Sequence, residues 1–139
     1  MMTLAQILTN IEWGRKQRTE FVRIIAYKFG VKRSDGLPKA IAKAYSKKEG
    51  YTSAYKYVCS VECLNEKSQV KVSCSCGDFT FSGLEFVLSR KGAADIIYGN
   101  GDPPQIPPKP GCCKHIFMLV KEMRLNKRLK SDLTFKFTK

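Results

Sequence analysis

The sequence predicts an α+β fold in which N-terminal helices are followed by a β-hairpin and a C-terminal helix, with a long Gly/Pro-rich insertion between hairpin and helix. Three observations predict it. Apolar residues recur at helical spacing through the first third of the chain, residues 51–73 take on the β-branched and aromatic texture of strands, and two short Cys/His pairs bracket a segment holding five of the six prolines. At 139 residues the chain has the size of one domain with a modest core, for which a covalent or metal staple is a material help.

Leu4, Ile7, Leu8 and Ile11 follow Thr3 at helical spacing, and Thr3 suits the N-cap, so the first helix runs two to three turns toward Trp13-Gly14. A second helix is expected over Gln17–Phe29, with Phe21, Val22, Ile25 and Tyr27 inward, Arg18, Arg23 and Lys28 outward, and Gly30 closing it. A third is expected from Pro38 to about Lys47, opened by proline in its first turn and carrying Ile41 and Tyr45. Residues 1–50 therefore read as a basic helical region. Tyr51–Cys63 and Gln69–Ser73 read as two strands joined by a turn near Asn65-Glu66. Residues 80–111 form the insertion, whose tip from Tyr98 to Gly111 is expected to be an extended loop. A last helix starts at Lys114 with Ile116, Leu119, Val120 and Met123 on one face, which makes residues 51–130 one module. Residues 131–139 alternate apolar and polar and read as a strand-like tail.

The formal charge is +13. Met1–Tyr57 holds twelve Lys/Arg against four acids, Val58–Cys113 five against six, and Lys114–Lys139 eight against two, so two basic arms flank a neutral middle. The arms point to a polyanionic partner, with DNA as one candidate and Arg15, Lys16, Arg18, Lys32, Arg33, Lys121, Arg124, Lys127, Arg128 and Lys130 as the backbone contacts; a solubilising surface is the plainer reading. Tyr51, Tyr55 and Tyr57 could stack on bases, although strand tyrosines more often pack. No run of eighteen apolar residues and no basic leader with a cleavage site occurs, so no membrane association and no signal-peptide secretion are expected.

Without an export signal, six cysteines argue for metal or packing roles rather than disulfides. Cys74-x-Cys76 and Cys113-x-His115, the latter at a helix start, supply three thiolates and an imidazole, the closed shell that structural Zn2+ prefers. Cys112 is the alternative to Cys113, and the Cys-x-His spacing favours Cys113. Lys114 can offset the negative charge of the site. Cys59 and Cys63 read as packing residues. With the one histidine engaged on zinc, no general base of that type remains, and the Glu and Pro-Cys-x-x-Cys that accompany zinc in deaminases are missing. Asp78, Glu85, Asp95 and Asp102 read as solvated loop acids. No phosphate-binding glycine loop occurs, and no small-molecule substrate is expected.

The order Cys-x-Cys, spacer, Cys-x-His, helix resembles the SWIM zinc-binding domain over Val70–Phe79 and Gly111–Leu119. Asp78-Phe79, the long Gly/Pro-rich spacer and Gly111-Cys-Cys-Lys-His115 are similar to small stand-alone SWIM-like proteins of tailed bacteriophages. The resemblance implies a zinc-stapled hairpin and helix that bind protein or DNA. It also implies a structural component of a larger assembly, located in a virion or host cytoplasm. A basic nucleic-acid-binding accessory protein is the alternative, and neither is an enzyme.

Overall fold

The computed structural model describes residues 1–46, 55–65 and 69–125. Its frame is a five-stranded antiparallel sheet ordered β1-β5-β4-β3-β2, built from β1 (Met2–Thr3), β2 (Val22–Val31), β3 (Pro38–Ser46), β4 (Tyr55–Cys63) and β5 (Gln69–Cys74). Strands β2 to β5 form a meander, and β1 folds back so that Met2 lies opposite Val70. Around the sheet lie the helices α1 (Leu4–Thr9), α2 (Trp13–Gln17), α3 (Gly77–Phe81), α4 (Leu84–Arg90) and α5 (Lys114–Leu125). Helix α1 starts where the sequence places it, because Thr3 accepts from the Gln6 amide while the Gln6 side chain accepts from the Thr3 amide.

The expected hairpin is present, with Cys59 opposite Cys74 and Cys63 opposite Val70. The two helices expected over Gln17–Phe29 and Pro38–Lys47 are not: after a short 3-10 turn at Arg18–Phe21, both stretches are strands. The cause in β2 is a bulge between Ile24 and Ala26, which inserts Ile25 and moves the positions set opposite the buried side of β3 from 22 and 24 to 27, 29 and 31, where Tyr27 and Val31 remain exposed. That one-residue offset turns a period of two into something that passes for a helical period. In β3 the alternation is strict: Pro38, Ala40, Ala42 and Ala44 are buried while Lys39, Ile41 and Lys43 are exposed. Alanine favours helix in isolation, but tertiary packing decides here, since small side chains let α5 lie close on the sheet. The described part of residues 1–50 is thus continuous with the hairpin, as β2 and β3 are strands of the same sheet.

One face of the sheet carries the core. Val61, Val70 and Val72 are buried there beneath Ile116, Leu119, Val120 and Met123 of α5, the four residues the sequence places inward. Each contributes roughly 1.5–3 kcal/mol by leaving water. Leu4, Ile7, Phe79, Leu84 and Leu88 extend the same core over the end of the sheet. Helix α4 falls inside the segment expected to be an insertion, while residues 93–113 carry neither helix nor strand. The predicted tail, with Lys127, Arg128 and Lys130, lies outside the described residues, as does Tyr51.

Candidate metal centre

Strand β5 ends at Cys74, and Ser75 fixes the turn that follows by bonding β4 twice: its amide donates to the Val58 carbonyl (3.0 Å) and its hydroxyl accepts from the Val58 amide (3.0 Å). Cys76 then becomes the N-cap of α3, its sulfur accepting from the Phe79 amide at 3.4 Å. An amide aimed at sulfur favours thiolate there. The second pair arrives with α5, where the Cys113 carbonyl opens the helix by accepting from the Phe117 amide.

The ligand atoms of Cys74, Cys76, Cys113 and His115 all lie within 4.8 Å of one another, and all four residues are buried. His115 turns Nδ1 toward the cluster, 3.7 Å from Cys74 Sγ. A tetrahedral shell with metal–sulfur distances of about 2.3 Å and metal–nitrogen distances of about 2.0–2.1 Å has edges of about 3.6–3.8 Å, so the four atoms fit a single ion after a small contraction. Among the described residues His115 Nε2 has no hydrogen-bond partner. Burying an imidazole with neither nitrogen well satisfied is costly, and a metal on Nδ1 removes half of that cost. The ring is held by Tyr57, 4.8 Å away and tilted by 46°. Tyr57 therefore packs on the centre instead of offering itself to a base.

The protons of the cluster are unevenly shared. Cys76 is pushed far below the usual thiol range by hydrogen bonds from Cys113 and Cys74 and by the nearby imidazole. Cys113 is raised well above that range by burial and by its bonds to the other thiols. Cys74 is also raised: its bond to Cys113 pulls it down, but Cys76 and burial outweigh that. Within the protein these effects favour a thiolate at Cys76 and thiols at Cys74 and Cys113, and a metal ion bound there would supply the positive charge that lets all three ionise.

Cys112 faces away from the cluster into a cavity bordered by Thr9, Asn10, Ile11 and Arg15, and burial pushes its thiol up to about 12. The sulfur brought into the cluster is that of Cys113 and not that of Cys112. Cys59 is buried beneath the centre with Sγ 4.0 Å from the His115 carbonyl, its thiol raised to about 12 by burial. It packs, as expected, and so does buried Cys63.

Several predicted contacts have other work. Arg15 is 8% exposed, donating to both carboxylate oxygens of Asp78 (2.7 and 3.1 Å) and to Glu12 (2.9 Å). Its guanidinium is thus already engaged within the fold. The bond to Asp78 raises its guanidinium against the opposing effect of burial, and its charge is felt at Cys113. Arg15 therefore shares in the balance of charge assigned to Lys114, which nothing in the sequence of α2 signals. Lys32 is likewise engaged, with Asp35 at 3.0 Å and Glu62 at 3.1 Å. Arg18 and Arg33 are exposed. Lys16, Lys121 and Arg124 come together around one cavity with Phe117 and Val120.

The acids also differ from expectation. Glu85 is 1% exposed and accepts from the amides of Tyr98 and Gly99, so it organises the loop from inside. Asp78 pairs with Arg15, while Asp95, 62% exposed beside Lys71, and Asp102 are the solvated loop acids that were expected. The proline segment is fastened at both ends. Gly83, at φ +98°, lies against Pro104 and Pro108, and the Asn10 side chain donates to the Pro110 carbonyl at 2.9 Å. At Gly111 a Cβ would stand 2.5 Å from the Asn10 carbonyl oxygen, so only glycine lets the chain pass α1 on its way to Cys113.

Compared with known proteins, the chain matches no family model, no curated protein and no solved structure. Among the described residues no helix is long and apolar enough to cross a membrane.

Proposed function

We propose that this chain is a zinc-stapled, non-enzymatic binding module that serves as a small structural component of a larger assembly, such as a tailed-phage particle. The observation that carries the reading is the convergence of three cysteines and one histidine, all buried, within 4.8 Å. Soft thiolates with an imidazole suit Zn2+, and a shell filled by four protein ligands leaves no position for a reactive water. Zinc bound there would tie the end of β5 to the start of α5. Docking to a protein neighbour is supported by three large exposed side chains: Trp13 (73% exposed), Phe81 (84%) and Ile106 (87%). Their segments are joined to one another, since Arg15 of α2 bonds Asp78 of α3, and Gly83 just after α3 touches Pro104 and Pro108 on either side of Ile106. The resemblance to stand-alone SWIM-like phage proteins supports a virion or host-cytoplasmic location.

The test is elemental analysis of the purified chain beside Cys76→Ser and His115→Ala, followed by incorporation of Trp13→Ala/Phe81→Ala/Ile106→Ala into the assembly. One zinc per chain, lost in both ligand variants, with incorporation blocked in the triple variant, is the expected result. Absence of zinc in the wild type would remove the reading.

A second reading, contact with nucleic acid, is favoured by the grouping of Lys16, Lys121 and Arg124 around one cavity floored by Phe117. Cations beside an aromatic ring can hold phosphates while a base lies on the ring.

A further inference from the structure

The sheet has two faces, and α5 covers only one. The other presents Arg23 and Lys28 from β2, Lys39 and Lys43 from β3 and Lys56 from β4, all exposed. The acid on this face, Glu62, is bonded to Lys32, and Lys71 is bonded to Asp95. Among the described residues none of the five cations forms an ion pair; Lys39 alone has an acid opposite it, Glu62, which shares Lys32 with Asp35, so the positive charge is strongest over Arg23, Lys28, Lys43 and Lys56. None of the five was singled out as a contact by the sequence, since β2 and β3, read as two separate helices, gave Arg23 and Lys28 no surface in common with Lys39, Lys43 and Lys56.

We propose that this open face binds single-stranded nucleic acid along its phosphate backbone. The proposal rests on the second reading above and assigns it a surface. Pairing across β2 and β3 sets Arg23 opposite Tyr45, Lys43 opposite Ala26, Lys28 opposite Ile41 and Lys39 opposite Gly30. The four cations thus occupy four successive rows, and same-face rows along a strand are about 7 Å apart. A ladder of like charges with a regular rise matches a linear polyanion whose charges repeat at comparable spacing. A folded acidic protein offers charges of both signs in a fixed pattern, whereas among the described residues the only acid of the strands on this face is Glu62, which is taken up by Lys32. Between the lysines lies a shallow trough with Ala26, Ile41 and Val58 in its lining and Lys28 and Lys43 at its sides. Ile41 and Val58 are shorter than the lysines around them, so they sit too low to enter a lipid bilayer but can meet a sugar or base edge. Tyr27, stacked on Phe29, also lines the trough, and Tyr45 lies on this face between Arg23 and Lys56; neither a phosphate contact nor a ring stacked on a base reads the base's identity, so binding is independent of sequence and dominated by charge.

Four to five neutralised phosphates imply that log K falls against log salt with a slope of about −3 to −3.5 for a single strand. The experiment is fluorescence anisotropy of a labelled oligo-dT with the full, metal-loaded chain between 50 and about 200 mM salt. Two variants run beside it: Lys28→Gln/Lys43→Gln/Lys56→Gln on the face and Lys16→Gln/Lys121→Gln/Arg124→Gln in the cavity. The expected result is a more than tenfold loss of affinity for the face variant, with its slope reduced by about 2, at unchanged metal content and unchanged thermal midpoint. An unchanged affinity in the face variant overturns the proposal, whether or not the cavity variant loses binding. So does a wild type that ignores oligo-dT but binds polyglutamate or phosphatidylserine vesicles. Metal content measured on the same samples keeps the two readings apart: oligo-dT binding in a chain without zinc would overturn the zinc staple and leave the face standing.

Discussion

Arg15→Met removes the guanidinium that joins α2 to α3, and its effect can be worked from the geometry. The Arg15 side chain is 10% exposed and that of Asp78 30%, so the pair lies between two measured limits. Breaking a fully buried pair costs about 3–5 kcal/mol, whereas an exposed pair is worth about 0–1 kcal/mol. Because water still reaches Asp78, a loss of about 2 kcal/mol is expected, or about thirtyfold in the folding equilibrium. The Glu12 arm adds little, its carboxylate being 59% exposed, and Glu12→Gln should move stability by less than about 0.5 kcal/mol. The assay is urea denaturation of the metal-loaded chain as a double-mutant cycle of Arg15→Met with Asp78→Asn, each variant also titrated with zinc against a competing chelator. A coupling energy of at least about 1 kcal/mol is expected, with weakened zinc affinity in both single variants, because Asp78 lies two residues from Cys76. Additive single effects would refute the argument, since they would mean the two side chains stabilise the fold independently. Arg15→Lys should recover part of the stability, keeping the charge but losing the two-pronged bond.

The choice between adjacent cysteines gives a sharp contrast: Cys113→Ser should lose the metal, whereas Cys112→Ser should keep one metal per chain, both read by elemental analysis. Gly111→Ala forces backbone apart at Asn10 and should destabilise the chain by about 1–3 kcal/mol in urea unfolding, with a matching loss of zinc affinity because Cys113 is displaced. Thr3→Ala breaks the reciprocal cap of α1 and should cost about 1 kcal/mol in the same assay while leaving metal content unchanged. Removing zinc with a strong chelator should lower the thermal midpoint, and acid should favour release because protons compete for the thiolates and the imidazole.

What could be read from the sequence divides along a physical line. The cap at Thr3, the hairpin and the inward face of α5 follow from local rules of spacing and propensity, and the structure has all three. The four clustered residues were legible because a metal shell demands particular atoms at short spacing, whatever the fold around them. Strands β2 and β3 were not legible. A bulge at Ile25 disguised one period, and alanines chosen for closeness to α5 imitated helix propensity in the other. Arg15 and Glu85 could not be found from local pattern either, since each acquires its role from a partner brought near only by the tertiary fold: Asp78 across the α2–α3 junction, and the amides of Tyr98 and Gly99 across a loop.

The order of the ligands along the chain has a bearing on how the molecule is made. All of β1 to β5, together with Cys74 and Cys76, leaves the ribosome before Cys113 and His115, at a pace of about 5–20 residues per second. A nascent chain can therefore pair its meander while the face of Ala40, Ala42, Val61 and Val72 has nothing above it. Helix α5 brings the last two members of the Cys/His cluster with it, so a metal bound there would be captured in the same event that shields this face. On the proposed zinc staple, a shortage of the metal would hold chains at that stage, with a finished sheet whose bare side is open to other nascent chains and to proteases.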